Sequence, residues 1–426
     1  MQIQQLSSGV EGLYIKSDKF KTSRISINMF VKADELDASA YALLSMLLTS
    51  ATVDYPDYTS LNAALSELYS ASLFSDIAKF GDMRIVKFII TFLDDKFALE
   101  NEKISSIATD LILSAIFNPP LIDGKFKQSD FDNNKRILIE QIKSDINDKR
   151  IYAINKTESI MYGDEPAGIS RYGSVENAEK LTNEQVVEAH KKLLENAFVR
   201  VNVISDSNPD NVFEKVAYEF DSIKRNIQKK NATVTHLFDG KTKRVEEKMD
   251  VTQGKLCLGF TLEKDKERVN DIKSMVFVDM FGGGPYSKLF MNVREKQSLC
   301  YYCAARFDSR KSTFTVDSGV LEENREKAYN GILEQLDEMK KGNFTDEDLL
   351  ASKMALCDAV SKVDDLSSQL DNWYVVRTFL EENETIEENI EMINSVTKED
   401  VIKIANSVKL DTVYFLGSLK GENNDD

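Results

Sequence analysis

Ile25, Ile27, Met29 and Val31 occupy alternate positions, the period of a strand with one face turned to a core. Leu43, Leu44, Leu47 and Leu48 follow at i, i+3, i+4 spacing and predict a helix with an apolar stripe. A turn at Asp54-Tyr55-Pro56 leads to a helical stretch that runs into a strand, Leu65–Phe74. After it come a β-branched and aromatic run, Ile85–Phe92, and a long amphipathic helix, Ala98–Ile116. The same order then recurs. Leu256, Leu258 and Phe260 alternate, Ile272, Met275 and Val276 keep helical spacing, and Gly282-Gly283-Gly284-Pro285 makes the turn. Val293–Tyr302, Thr313–Val320 and Asn324–Lys340 complete the series. The offset between the two series holds near 228 positions, so one unit of about half the chain occurs twice.

Mixed strands and helices, with alternation suited to a sheet that has one covered face, predict an α+β fold. Two tandem homologous domains are expected, each a largely antiparallel sheet with helices packed on one face. The first spans residues 1–222 and the second 251–426, with 223–250 between them as a linker rich in Lys, Asn, Thr and Asp. Lys224, Arg225, Lys229 and Lys230 in that linker read as charges that keep it solvated rather than as a binding patch. The tail, residues 421–426, reads as disordered.

Composition narrows the function. Lys and Arg total 54 against 71 Asp and Glu, a net charge of −17, which disfavours neutralising nucleic-acid phosphates. With 42% hydrophobic residues and only 6 Pro, the chain has the apolar content that folding requires. Met1–Val10 lacks the basic start and apolar stretch of a secretion signal, and apolar runs such as Tyr41–Leu48 are too short to cross a bilayer. Cys257, Cys300, Cys303 and Cys357 are too scattered for a disulfide framework and fit a cytoplasmic location. The triplet Asn231-Ala232-Thr233 matches a glycosylation acceptor but has no secretory context.

Residues that could carry chemistry are sparse. His190 and His236 are the two histidines; neither has a histidine four positions away, so they read as surface or hydrogen-bonded core residues rather than metal ligands. Cys300 and Cys303 have C-x-x-C spacing, but on the strand expected there positions i and i+3 face opposite ways, which predicts structural cysteines. Gly282-Gly283-Gly284 lacks the residues that complete a phosphate-binding loop, and no Ser or Cys stands in a recognisable nucleophile setting.

The segment from Gly282-Gly283-Gly284-Pro285 through Asn292-Val293-Arg294-Glu295-Lys296 to Cys300-Tyr301 resembles the C-terminal-half signature of the pitrilysin/insulinase zinc peptidases, which include the mitochondrial processing peptidase. Val251-Thr252-Gln253-Gly254-Lys255-Leu256, Tyr162-Gly163-Asp164-Glu165-Pro166 through Gly173, and Leu181-Thr182 are similar to further stretches of that family. Active members carry H-x-x-E-H on the first-half helix, two histidines holding zinc and the glutamate acting as general base. Aligning that helix by its apolar stripe and by Thr52 puts Ala42, Ser45 and Met46 at those places, and none can hold zinc or take a proton from water. A downstream ligand of the family corresponds to Glu140, a vestige here because one carboxylate does not retain zinc. Arg294 and Tyr301 match the family's pair that reaches toward bound peptide.

The resemblance therefore implies a catalytically inactive subunit of a two-component zinc peptidase. It would bring Arg294 and Tyr301 to peptide substrate while a catalytic sibling subunit supplies the zinc; this chain itself takes no cofactor. Asp18-Lys19-Phe20-Lys21-Thr22 and Leu65–Leu73 resemble, more narrowly, a bacterial subgroup of paired proteins associated with elongation factor P modification. The alternative is a homodimeric scaffold that holds an extended peptide at a sheet edge without hydrolysing it. In either reading the partners are peptide and protein, not nucleic acid or membrane.

Overall fold

Thr22–Lys32 forms an eleven-residue strand in which Ile25, Ile27, Met29 and Val31 are buried on one face, as their alternation predicts. The intervening Arg24, Ser26, Asn28 and Phe30 are buried as well, so this strand is covered on both faces. The computed structural model describes residues 2–32, 34–227, 235–263 and 268–419. It divides into two compact units, neither contiguous in sequence. The first takes Met1–Lys143, Ile169–Ala232 and Asp364–Asn383; the second takes Ser144–Gly168, Thr233–Val363 and Glu384–Asp426.

In the first unit β1 (Gln2–Ser7), β2 (Val10–Lys16), β3 (Thr22–Lys32), β4 (Ser72–Phe80) and β5 (Met83–Leu93) precede a two-stranded ribbon, β6 (Leu121–Ile122) with β7 (Lys125–Phe126), and β8 (Phe198–Ser205). The six-stranded sheet has the order β1-β2-β8-β3-β5-β4, antiparallel except where β2 meets β8. Helices Glu35–Leu48, Ile104–Phe117 and Asn183–Asn196 pack against its strands. The face that carries Arg24, Ser26 and Phe30 lies under helix Ser367–Phe379. There Phe379 stacks on Phe30 at 4.1 Å, and Phe80 and Phe198 meet Phe379 edge-on.

The second unit holds β9 (Lys243–Met249), β10 (Gly254–Thr261), β11 (Cys300–Asp308), β12 (Thr313–Val320) and β13 (Lys409–Ser418). Their order is β11-β12-β10-β13-β9, antiparallel except for β13 with β9. Leu256, Leu258 and Phe260 point to one face, where Phe260 stacks on Phe314 and Phe277 and Phe281 meet Phe314 edge-on. Cys257 and Gly259 point to the other, beneath helix Lys149–Tyr162. A Cβ at Gly259 would come within 2.8 Å of Met161 Sδ, so a side chain there would force the Met161 side chain to move aside.

The two α+β domains expected from the repeat are present as largely antiparallel sheets with helices. The structure adds a second layer on each sheet, one helix drawn from the opposite part of the sequence. The expected linker 223–250 is also more structured than its composition implies. Residues 243–249 form β9, and Arg225 lies over the Phe220 ring, 4.7 Å from its centroid, while donating to the Ala197 carbonyl. Burial pushes the Arg225 guanidinium down to about 10. The helix expected over Ala98–Ile116 starts only at Ile104, after a short turn at Asp95–Phe97 capped by Asp94. Lys229, Lys230, the Asn231-Ala232-Thr233 triplet and the tail 421–426 lie outside the described residues.

Candidate functional site

Helix Glu35–Leu48 begins at Asp34, whose side chain accepts from the Asp37 N–H, and its residues Ala38 through Ser45 are almost wholly buried. Ala42 offers only a methyl group. Ser45 is buried with its hydroxyl donating back to the Ala42 carbonyl at 2.9 Å, and Met46 offers a thioether. This set does not fit zinc, which takes thiolate, imidazole or carboxylate. Glu140, on helix Gln128–Asn147, is exposed and pairs with Arg136 one turn before it at 2.7 Å. Among the described residues no group of three or more His, Cys, Asp or Glu is placed to hold a metal ion.

Arg294 and Tyr301 sit on two irregular pieces of backbone. Leu289–Lys296 is a π-helix, whose hydrogen bonds span one residue more than those of an α-helix; it closes through Ser298, whose φ of 53° is left-handed and whose N–H bonds the Arg294 carbonyl. The Arg294 guanidinium lies 4.4 Å from the Phe290 ring centroid and 3.6 Å from Glu295 Oε1, with its side chain 38% exposed. On β11 the pairing with β12 jumps from Cys300↔Val320 to Tyr302↔Gly319, leaving Tyr301 as the extra residue of a β-bulge. Tyr301 is 60% exposed, whereas its neighbours Cys300 and Cys303 are buried. The Arg294 charge helps to lower the pKa of Cys300, the residue before Tyr301, after the larger effects of Cys303, burial and Ser318.

The bulge overturns one expectation. Cys303 opposes Ser318 and Cys300 opposes Val320, two positions apart on β12, so the two cysteines share a face instead of pointing apart. The histidines follow the hydrogen-bonded reading. His190 on helix Asn183–Asn196 is buried with Nε2 on the Ile116 carbonyl at 2.7 Å, and burial, partly opposed by that bond, moves its pKa below the ordinary value.

Two buried polar centres have no local signal in the sequence. In the first unit, Asp371 accepts from Arg24 Nε at 3.0 Å, Ser26 Oγ at 2.7 Å and Asn202 Nδ2 at 2.8 Å, while Lys87 donates to Asn372 at 2.6 Å. In the second, His236 is held between Glu165 (Nδ1, 2.5 Å) and Asp411 (Nε2, 3.2 Å). Lys311, fully buried, bonds the other Glu165 oxygen at 2.5 Å. Tyr162 meets His236 edge-on and bonds Thr313 at 2.8 Å, and Thr412 donates to Asp411. Burial would lower the His236 pKa, but the bonds to Asp411 and Glu165 outweigh it and the net shift is upward.

Comparison with known proteins agrees with this picture. Residues 180–356 match the family described as Peptidase M16 inactive domain. The chain is 28% identical to "Probable inactive metalloprotease YmfF" of Bacillus subtilis (strain 168) over 422 residues, covering 99% of this chain and 98% of that one. A conserved protein from Enterococcus faecalis V583 superposes with a TM-score of 0.91 at 25% identity, covering 98% of each chain. A peptidase M16 inactive domain from Pseudomonas fluorescens shares the fold, with a TM-score of 0.78 at 14% identity and 98% of each chain covered. No helix among the described residues is long and apolar enough to cross a membrane. The matches and the segment Gly282–Tyr301 together make the chain similar to the inactive domain of the M16 (pitrilysin/insulinase) peptidases and, over nearly its whole length, to a probable inactive metalloprotease.

Proposed function

We propose that this chain is the non-catalytic subunit of a two-chain zinc peptidase and that Arg294 and Tyr301 bind the peptide whose hydrolysis a sibling with H-x-x-E-H performs. The observation that carries the reading is the contrast between the two sets of family positions. Ala42, Ser45 and Met46 offer no metal ligand, while Arg294 and Tyr301 keep solvent-facing donors on a π-helix and a bulge, both of which interrupt regular structure. A guanidinium fork and a phenol donate hydrogen bonds to a peptide carbonyl, and the bonds strengthen as that oxygen gains charge. The net charge of −17 further favours basic peptides during encounter.

The test is reconstitution. This chain alone is expected to contain no stoichiometric zinc and to cleave no peptide, and mixing it with the sibling is expected to give activity. Arg294→Ala should lower kcat/KM of the mixture by about 10²–10³-fold with assembly intact, the usual loss for a removed oxyanion donor. Hydrolysis by this chain alone, or an unchanged rate with the variant, sinks the reading; peptide capture without hydrolysis in any mixture supports the scaffold alternative.

A further inference from the structure

All four cysteines are free, and three of them are buried. Cys257 opposes Asp317 on the face beneath helix Lys149–Tyr162, where Asp317 pairs with Arg150. Cys300 and Cys303 lie on the other face, aligned by the extra residue at Tyr301. A C-x-x-C pair on a regular strand would be split between faces; here the bulge turns both side chains to one face of the sheet, opposite Val320 and Ser318, and both are buried there. We propose that Cys300 and Cys303 form a reversible redox site, a dithiol that a peroxide converts to a disulfide.

The chemistry balances. The Cys300 thiolate attacks one oxygen of hydrogen peroxide, the O–O bond breaks, and the departing hydroxide takes the proton that the thiol gave up, leaving Cys300 as a sulfenic acid and one water. Cys303 sulfur then attacks Cys300 sulfur. The S–S bond forms, the S–O bond breaks, and the leaving hydroxide takes the Cys303 proton as a second water. Two thiols are oxidised and one peroxide is reduced. The site favours Cys300 as the attacking sulfur: the Cys303 hydrogen bond lowers its pKa against the opposing effect of burial, and Ser318 and the Arg294 charge lower it further. Cys300 is 8% exposed, which favours a small oxidant such as hydrogen peroxide over larger ones.

A bond across the bulge would fix the backbone on both sides of Tyr301. That consequence rests on the proposed role of Tyr301 in peptide binding, whereas the disulfide does not. Full-length protein is therefore treated with hydrogen peroxide, unfolded, alkylated and mapped by mass spectrometry. The expected result is loss of two of the four titratable thiols, with the peptide that contains Cys300 and Cys303 lighter by two hydrogens and restored by dithiothreitol. In Cys303→Ser, a sulfenic acid trapped by dimedone is expected at Cys300. Four titratable thiols after peroxide, or a bridge that uses Cys357, overturns the proposal. Peptide mapping of the unsubstituted protein needs no variant to fold, and a disulfide without effect on the reconstituted peptidase counts against the role of Tyr301 only.

Discussion

At the scale of single residues, the strongest commitments are polar and buried. Asp371 gathers Arg24, Ser26 and Asn202 where water is excluded, so its loss leaves the Arg24 charge buried and unmatched. Asp371→Ala should destabilise the first unit by about 3–5 kcal/mol, the range for breaking one partner of a buried pair. Trp373, the single tryptophan, lies two residues on in the same helix with Arg377 stacked on it at 3.6 Å, so its fluorescence follows that unit in denaturant. An unfolding midpoint equal to that of the unsubstituted chain would show that Asp371 is dispensable. Little of this is legible in the sequence: Arg24 and Asp371 are 347 positions apart, and nothing local marks either as buried. That the sequence holds no H-x-x-E-H is legible, because its two histidines, His190 and His236, stand 46 positions apart.

At the scale of elements, alternation and helical spacing locate strands and helices well where neighbours in sequence share an environment. Thr313–Val320 is a strand with the bounds expected, and Asn324–Lys340 differs by one residue. They miss what depends on hydrogen-bond register. The π-helix at Leu289–Lys296 and the bulge at Tyr301 each add a residue to a regular element, and residue type does not record such an addition. Deleting Tyr301 should restore an uninterrupted β11–β12 ladder. The expected outcome is a melting temperature no lower than that of the parent, together with a fall in kcat/KM of the reconstituted peptidase as large as that of Tyr301→Phe. A large drop in melting temperature would instead make the bulge a structural necessity.

At the scale of the whole molecule, the two histidines set opposite limits on stability. His190, in the first unit, has a folded pKa below its unfolded value near 6.5, so the stability tied to its neutral form is complete above that pH and is lost as pH falls below it. His236, in the second unit, has a raised folded pKa; with Glu165, Asp411 and Lys311 around it, its contribution is complete below about 6.5 and is lost as pH rises through the folded value. Acid should thus bring forward the Trp373-detected transition of the first unit, and His190→Gln should blunt that response. His236→Gln should flatten the alkaline decline seen by circular dichroism; an unchanged alkaline slope in that variant assigns the decline to other groups. The repeat is legible as two similar runs of elements, but the units built from them are not, because each sheet takes a covering helix from the other end of the chain. Fragments 1–222 and 251–426, the division that the repeat implies, should each fail to fold alone, since the first lacks Ser367–Phe379 and the second lacks Lys149–Tyr162; cooperative melting of either fragment would contradict this.

The same arrangement bears on how the protein is made. A ribosome adding about 5–20 residues per second needs roughly 20–70 s to travel the 347 positions from Arg24 to Asp371. Throughout that interval the nascent first sheet exposes Arg24 and Phe30 without the helix that later shields them. Synthesis therefore holds a half-finished surface open for much of a minute, and holdase chaperones that bind such surfaces have their opportunity before release, not after.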